Sequence, residues 1–236
     1  MSTGMSNLTA ENGCDLEDPS VFQDVGNLSL SNDGTDFAAI RERALSLFND
    51  GPAVFIGGDH FITWPVLEGF LLATHIPPHL VQIDAHPDLY PDFDGNPTSH
   101  ASVMARVMEQ NLVQSLTQIG IRTLNRPQKS QVEKFNVRIY PASERLPSPS
   151  DLPSGPTYLS IDLDGLDPSC APGVSHHEPA GLTTRQVITL LWSLPGPLVG
   201  ADIVEYNPLT DINDMTAAVA LKLLKEVVAR LIYDHT

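Results

Sequence analysis

The sequence predicts an α/β fold in three layers, with a mainly parallel β-sheet between two layers of helices. Short apolar runs alternate along the chain with stretches of helical periodicity, which is typical of strands joined by crossover helices. The chain has 236 residues, of which 42% are hydrophobic and 18% are charged, as expected of a globular protein. A chain of this length forms one domain or at most two.

The predicted elements follow a regular order after a polar start. Residues 1–34 are rich in Ser, Asn, Asp and Gly, so we expect a loose, partly ordered lead-in to a single domain over residues 35–236. Strands are predicted at residues 53–57, 80–84, 116–121, 137–140, 158–162 and 198–206. Helices are predicted at residues 37–48, 64–74, 101–113, 127–135, 184–192 and 216–232. The Pro/Ser-rich segment 141–156 is expected to be a surface loop.

The charge balance excludes several classes of partner. The formal net charge is −16, which disfavours nucleic acid and anionic lipid and suits a cationic substrate or bound metal cations. Cys14 and Cys170 make no disulfide framework, so both are expected to be free thiols. No apolar run reaches the roughly 20 residues of a membrane-spanning helix. Because residues 1–18 are polar and acidic, without the features of a signal or transit peptide, a cytosolic location is expected.

Acidic and imidazole residues follow three of the predicted strands, in the motifs GGDH (57–60), DAHPD (84–88) and DLD (162–164). Ligands of open α/β sheets bind at the carboxyl ends of strands, so we expect these groups to converge. Four carboxylates in contact cannot all stay ionised, and two divalent cations would balance them. The candidate metal ligands are His60, Asp84, His86, Asp88, Asp162 and Asp164. Oxygen and imidazole donors without thiolate favour Mn²⁺, with Zn²⁺, Ni²⁺ or Co²⁺ possible.

These motifs resemble those of the ureohydrolase family, which comprises arginases, agmatinases and related amidinohydrolases. The matching segments are GGDH (57–60), DAHPDLY (84–90), SHAS (99–102), SIDLDGLDPSCAPGVSHHEPAGL (160–182) and ADIVEYNP (201–208). They look most like plant-type arginases and their bacterial relatives. The resemblance implies a manganese-dependent enzyme that hydrolyses L-arginine to L-ornithine and urea. Hydrolysis of agmatine or another guanidino acid is the alternative within the same chemistry, and a truncated, non-catalytic paralogue is the alternative of another class.

The resemblance also implies a role for each motif residue. One Mn²⁺ would be held by His60, Asp84, Asp88 and Asp162. The second Mn²⁺ would be held by Asp84, His86, Asp162 and Asp164, with Asp84 and Asp162 bridging. His100 would be the acid/base residue, and Glu205 would bind the guanidinium group of a small cationic substrate. Loop residues expected near the far end of the substrate are Asn96, Ser99 and Asn125. The resemblance further implies a homo-oligomer, either a trimer or a hexamer.

Elementary chemistry is consistent with these roles. A metal pair lowers the pKa of a shared water toward neutrality. Imidazole titrates in the range needed to protonate a leaving amine, and a carboxylate pairs bidentately with a planar guanidinium.

The sequence also departs from the usual pattern of the family. The G-x-P-x-D-x-G-like strand that usually opens the family is not found, so the sheet is expected to lack its usual first strand. Ala180 and Asp214 stand where glycine is usual.

Overall fold

The computed structural model describes residues 7–18, 21–31 and 36–236. Its α-helices are α1 (Asp36–Asp50), α2 (Thr63–Thr74), α3 (Val103–Glu109), α4 (Arg126–Phe135), α5 (Thr184–Ser193) and α6 (Met215–His235). Its strands are β1 (Ala53–Ile56), β2 (His79–Ile83), β3 (Ser115–Ile121), β4 (Arg138–Pro141), β5 (Thr157–Asp162) and β6 (Leu198–Val204). Among these described residues, no helix combines the length and the apolar character needed to cross a membrane.

The six strands form one sheet in the order β1-β6-β5-β2-β3-β4, and every neighbouring pair is parallel. The predicted three-layer α/β fold with a parallel sheet is therefore confirmed. Every residue of β5 is buried, as expected of a strand that has helices on both faces of the sheet. Strand β1 lies at an edge and pairs with β6 alone among the described residues.

The two faces of the sheet are covered by different helices. Helices α5 and α6 pack on one face through Val187, Leu190, Leu191, Leu223 and Val227. Helices α1, α2 and α3 pack on the other through Ile40, Ala44, Val66, Leu67, Met104 and Val107. These apolar residues recur at helical spacing in the sequence, which explains why the pattern located the helices.

One predicted helix is shorter than expected. The sequence predicts a helix over residues 101–113, but the α-helix spans only Val103–Glu109 and follows a 3₁₀ turn at His100–Ser102. The helix ends because Asn111 adopts a left-handed conformation with φ of 54°, which asparagine tolerates better than most residues. The 3₁₀ turn has a consequence for the site, since it begins at His100.

The predicted lead-in divides into a packed part and an exposed part. In residues 7–18, Ala10 and Leu16 are buried, and Glu11 forms ion pairs of 2.7 Å with Arg185 and 3.0 Å with Lys222. Residues 21–31 contain no helix or strand and are mostly exposed. Residues 1–6, 19–20 and 32–35 lie outside the described residues, so the domain boundary at residue 35 stays a prediction.

Candidate metal centre and substrate cavity

Charged side chains collect at the carboxyl ends of four strands that are adjacent in the sheet, β1, β6, β5 and β2. His60 follows β1 and Glu205 follows β6. Asp162 and Asp164 lie at the end of β5, and Asp84, His86 and Asp88 follow β2. They meet because the carboxyl ends of parallel strands share one edge of the sheet. All six predicted metal ligands are thus brought together, although their roles as ligands stay a prediction.

The first group of candidate ligands surrounds the imidazole of His60. Its Nδ1 atom lies 3.0 Å from an oxygen of Asp88, 3.2 Å from one of Asp162 and 3.4 Å from one of Asp84. All four residues are buried, and their ligand atoms lie within 4.8 Å of one another. This Nδ1 has no hydrogen-bond partner in the described part of the chain.

A buried hydrogen-bond network assigns the tautomer of His60. Ser160 donates its hydroxyl hydrogen to Asp202 over 2.6 Å, so it accepts a hydrogen bond from His60 Nε2 at 2.9 Å. Asp202 also accepts hydrogen bonds of 2.9 Å from Thr63 and Tyr158. His60 Nε2 therefore carries the hydrogen, and the lone pair of Nδ1 faces three carboxylates. That arrangement suits a cation at the centre of the group.

The second group of candidate ligands lies beside the first. His86 Nδ1 is 2.9 Å from an oxygen of Asp164 and 3.6 Å from Oδ1 of Asp84. Because Asp84 faces His60 through Oδ2, its two oxygens serve different groups, as a bridging ligand would. Asp162 is not part of the second group, and its Oδ1 accepts the backbone N–H of Asp164 at 2.8 Å. Its predicted bridging role stays a prediction.

The position of Asp84 is fixed by its neighbours. Its carboxylate accepts hydrogen bonds of 2.6 Å from the side chain of Gln82 and from the backbone N–H of His86. A side chain at Gly165 would approach the backbone nitrogen of Asp84 to 2.8 Å. Gly120, with φ of +97°, likewise passes close to the Asp84 carbonyl. Glycine is needed at these positions because β3 and the turn after β5 pack directly on the Asp84 backbone.

The pKa values of Asp88, Asp162 and His86 are raised, in a cluster that carries more negative than positive charge. Burial, reinforced by the charge of Asp84, raises the pKa of Asp88 to about 7. Burial and the charge of Asp164 raise the pKa of Asp162 well above its ordinary value. Burial lowers the pKa of His86, but hydrogen bonds to Asp164 and Asp84 outweigh it and raise that pKa to about 11. Carboxyl groups whose pKa is raised by burial and by neighbouring carboxylates lack a sufficient counter-charge in the protein.

The predicted acid/base residue, His100, stands at the cavity wall, where the 3₁₀ turn begins. Its Nδ1 lies 3.6 Å from Asp59, and its ring centroid is 5.4 Å from that of His176. The Asp59 carboxylate accepts from the ring and stabilises its charged form, which raises the pKa of His100 against an opposing effect of burial. Because Nδ1 faces Asp59, Nε2 is the atom left to exchange a proton with a bound molecule.

The predicted guanidinium-binding residue, Glu205, follows β6 and is held from two sides. Its carboxylate accepts the backbone N–H of His60 at 2.7 Å, and its own N–H donates to the Gly58 carbonyl at 2.7 Å. Burial raises the pKa of Glu205. Glu205 and Asp88 have left-handed backbones with φ of 65° and 52°, a strained geometry for non-glycine residues that costs about 1–3 kcal/mol and concentrates at functional sites.

A cavity of 340 Å³ opens beside these groups. It is lined by Asp88, Asp162, Asp164 and Glu205, by His86, His100 and His176, and by Tyr90, Phe93, Ala101, Thr123, Asn125 and Gln128. Asn125 therefore lines the cavity, and its role toward a substrate stays a prediction. Asn96 and Ser99 are not in its lining, and their side chains accept hydrogen bonds from Thr98 and Ala101 in local turns. Their roles toward a substrate stay a prediction.

Ser160 and Asp202, which support His60 from beneath, were not predicted from the sequence. Ser160 precedes Asp162 by two positions, so strand alternation could have placed both on one side of the sheet. Asp202 reads as an ordinary strand residue, and no local signal links it to His60. The left-handed Ala180, with φ of 67°, and Asp214, with φ of 57°, explain why glycine suits both positions.

Comparisons with known proteins agree with this fold and site. The Arginase family model matches residues 2–229. The Arabidopsis thaliana protein "Arginase 2, chloroplastic/mitochondrial" is 39% identical over 245 residues, which cover 97% of this chain and 71% of that protein. The mitochondrial arginase of Medicago truncatula is 39% identical over 243 residues, which cover 96% of this chain and 72% of that protein.

Solved structures give the same result. The structure of arginase from Medicago truncatula matches with a TM-score of 0.88 at 38% identity, covering 95% of this chain and 76% of that one. Proclavaminate amidino hydrolase from Streptomyces clavuligerus matches with a TM-score of 0.79 at 27% identity, covering 89% of this chain and 74% of that one. The family resemblance inferred from the motifs is therefore confirmed.

The predicted cytosolic location is contradicted. Relatives that are 38–39% identical over almost the whole chain are named as mitochondrial or chloroplastic proteins. The prediction relied on the polar and acidic character of residues 1–18, which reports only on those residues.

Proposed function

The chain belongs to the arginase family, and from this premise we propose that it hydrolyses L-arginine to L-ornithine and urea. Enzymes of this family are metal-dependent hydrolases that act on small guanidino compounds. The observation that carries the proposal is the cluster of four buried carboxylates, the buried imidazole of His60 and the half-buried imidazole of His86, beside a cavity that is also lined by Glu205 and His100. Relatives named arginase, at 37–39% identity, support arginine as the substrate.

We propose that the cluster holds two Mn²⁺ ions, with Ni²⁺, Co²⁺ or Zn²⁺ as possible substitutes. The donor set fits, because oxygen and imidazole ligands suit these ions and the unpartnered Nδ1 of His60 faces three carboxylates. His60, Asp84, Asp88 and Asp162 would hold one ion, while Asp84, His86, Asp162 and Asp164 would hold the other. When bound, such a pair lowers the pKa of a water and so supplies a nucleophile near neutral pH.

The chain's own residues bind and orient the substrate. The Glu205 carboxylate is anchored by the His60 N–H at 2.7 Å, and it pairs with the planar guanidinium group through parallel hydrogen bonds. This contact holds the guanidinium carbon at the end of the cavity where the metal cluster lies. Burial strengthens the pairing, because the site excludes much of the competing water.

His100 supplies the proton that the leaving group needs. Hydrolysis adds the oxygen of water to the guanidinium carbon and breaks the bond between that carbon and the terminal nitrogen of ornithine, which leaves as an amine only when protonated. Asp59, 3.6 Å from Nδ1, orients the ring and favours its charged form. The proton is therefore donated from Nε2, which faces the cavity.

The test is a urea assay of purified protein loaded with Mn²⁺ and offered L-arginine, agmatine and 4-guanidinobutyrate in parallel. We expect urea from L-arginine at the highest kcat/KM, and His100→Ala should lower turnover while the metal content stays unchanged. Failure to release urea from any of the three would refute the proposed activity and would favour the non-catalytic alternative.

Agmatine is the second candidate substrate. It is favoured by the absence of any lysine or arginine in the lining of the cavity, so far as the described residues go. N(1)-aminopropylagmatine ureohydrolase from Thermus thermophilus is 37% identical over 189 residues, which cover 76% of this chain. The same assay decides between the two substrates.

We also propose that the protein forms a homo-oligomer, as a trimer or a hexamer. Members of this family are typically oligomeric. Light scattering of the Mn²⁺-loaded protein across a range of concentrations gives the mass directly, and a purely monomeric mass would refute this proposal.

A further inference from the structure

The side chain of Arg122 reaches the segments that carry the second group of candidate ligands. Arg122 follows β3 and is partly buried. Strand β2 lies between β3 and β5 in the sheet, so this side chain crosses the end of β2 to reach the turn after β5. Asp84 and His86 follow β2, and Asp164 lies in that turn. Arg122 therefore spans the part of the sheet edge where these three residues lie.

The terminal N–H groups of Arg122 all donate to backbone carbonyls. Nη1 donates to Gly120 at 2.9 Å and to Gly165 at 3.1 Å. Nη2 donates to Asp164 at 2.8 Å and to Glu178 at 2.7 Å. Because the guanidinium group is planar and its donors form a rigid fork, these bonds fix three segments relative to one another. The segments are the end of β3, the turn after β5 and the loop that contains Glu178.

A second path of hydrogen bonds joins Arg122 to Asp164. The backbone N–H of Arg122 donates to the Ala85 carbonyl at 2.9 Å. The Ala85 N–H in turn donates to the Asp164 carboxylate at 3.1 Å. Ala85 lies between Asp84 and His86 in the sequence. Asp164 is therefore held at its carbonyl by the Arg122 side chain and at its carboxylate by the segment that carries the other two ligands of its group.

Strand β3 is irregular just before Arg122. Its register with β4 shifts between Ile119 and Ile121, and Gly120 between them has φ of +97°. An irregularity of this kind changes the direction of the side chains that follow it. Since the Gly120 carbonyl is also an acceptor of the Arg122 side chain, the distorted strand end and the arginine belong to one arrangement.

The first group of candidate ligands is held in another way. Among the described residues, no hydrogen bond of Arg122 reaches His60, Asp88 or Asp162. His60 is instead held through Ser160 at 2.9 Å. Loss of the Arg122 side chain should therefore loosen the second group and leave the first in place.

We propose that Arg122 is a positioning residue that sets the affinity of the second metal position by holding Asp164. The inference rests on the proposed two-metal centre and assigns a role in it to a residue that is not itself a ligand. The charge of an arginine beside bound cations weakens their binding by repulsion. Its hydrogen bonds have the opposite effect, because they hold the ligands in place before the ion arrives. The two effects differ in sign, so removing the side chain distinguishes them.

The test titrates metal-free wild type and Arg122→Met with Mn²⁺ by calorimetry. We expect two ions in the wild type, and in Arg122→Met an unchanged first ion and a second that binds about 10–100-fold more weakly. Electron paramagnetic resonance should then show an isolated Mn²⁺ ion where the wild type shows a magnetically coupled pair. Arg122→Lys keeps the charge but cannot form the rigid fork, so its second ion should also be weakened.

The matched control is Arg230→Met. Arg230 likewise donates to three carbonyls, in the segment 191–196, at 3.0 Å each, and that segment carries no candidate ligand. Both ions should bind to this variant as they do to the wild type.

Several outcomes would overturn the inference alone. They are an unchanged or tighter second ion in Arg122→Met, equal weakening of both ions, wild-type affinity in Arg122→Lys, and selective loss of the second ion in Arg230→Met. If Arg122→Met does not fold, Arg122→Lys decides the question. A wild type that binds fewer than two ions would overturn the proposed metal pair and this inference together.

Discussion

Two clusters of charge lie largely out of water, and they differ in how their charges are balanced. The helix cluster is formed on α6 by Lys222, Glu226, Arg230 and Asp234. The strand-end cluster is formed by His60, Asp84, His86, Asp88, Asp162 and Asp164. The first supplies its own counter-charges, whereas the second does not.

Each charge of the helix cluster has an opposite partner one turn away. Lys222 pairs with Glu226 at 2.5 Å, and Arg230 pairs with Asp234 at 2.7 Å. The other N–H groups of Arg230 donate to three carbonyls in the segment 191–196, each at 3.0 Å. Burying charge is tolerable here because every group finds its partner within the protein.

The strand-end cluster has four carboxylates whose only ion-pair partners among the described residues are His60 and His86. No lysine or arginine side chain forms an ion pair with any of them within those residues. An internally balanced cluster of charges stabilises the fold, whereas an unbalanced one requires a cation from outside.

The largest effect should follow from removing the external cation or its shared ligand. Asp84→Ala removes the carboxylate that faces both ligand groups, so we expect loss of bound Mn²⁺ and of urea production. In the wild type, Mn²⁺ at about 100 times its Kd should stabilise the fold by about 2.7 kcal/mol. Metal analysis and thermal unfolding with and without chelator measure both, and wild-type metal content with full activity in Asp84→Ala would refute the assignment.

A large effect of another kind is expected from Arg230→Met in the helix cluster. Removing Arg230 leaves Asp234 without its ion-pair partner and takes one donor from each of three carbonyls, which should cost about 3–5 kcal/mol of unfolding free energy. Because this cluster is internally balanced, the stabilisation by Mn²⁺ should stay as in the wild type. Urea unfolding with and without Mn²⁺ checks this, and a changed metal response would contradict the distinction between the clusters.

An intermediate effect is expected at Asp202, a buried carboxylate that is linked to the candidate ligand His60 through Ser160. Asp202→Asn replaces an acceptor of three hydroxyl groups by an amide, which should cost about 1–3 kcal/mol in stability. Because Ser160 then loses the partner that orients it toward His60, affinity for Mn²⁺ should fall about 10–100-fold. Thr63→Val is the control, since it removes one donor that does not touch His60, and metal titration should then show near-normal affinity.

The smallest effect is expected at the exposed rim of the helix cluster. Hydrogen bonds from Arg185 and then Lys222 hold the pKa of Glu11 at about 2, below its ordinary value of 4.5. The stabilisation is therefore fully present above pH 4.5 and is lost as the pH falls through about 2. Exposed pairs contribute little, so Glu11→Gln should barely change the unfolding midpoint at pH 7, and the difference from wild type should vanish in acid.

The sequence predicted most of the fold because its elements depend on local patterns. Apolar runs such as residues 158–162 and helical stripes such as Val219, Leu223, Val227 and Leu231 indicate their structure without reference to the rest of the chain. The six candidate ligands could be predicted for a related reason, since parallel strands bring their carboxyl ends to one edge.

Features that depend on distant partners were not predictable in this way. Glu11, in the N-terminal segment, forms an ion pair with Lys222 in the last helix. No local sequence pattern predicts this contact. Tyr90 lines the cavity although it was not a predicted site residue, whereas the side chains of Asn96 and Ser99, which were predicted, bond within their own turns. Side-chain direction within loops is decided by packing and not by spacing along the sequence.

The edge position of strand β1 affects how readily this strand opens to solvent. The strand has four residues and, within the described part of the chain, one hydrogen-bonded neighbour. It is followed by His60, while Asp84 and Asp162 belong to the ends of strands that are paired on both sides. Edge strands open more readily than central ones, so amide protons of β1 should exchange with solvent faster than those of β2 and β5. A cation shared by His60 and the two aspartates would fasten the edge of the sheet to its centre and slow that exchange.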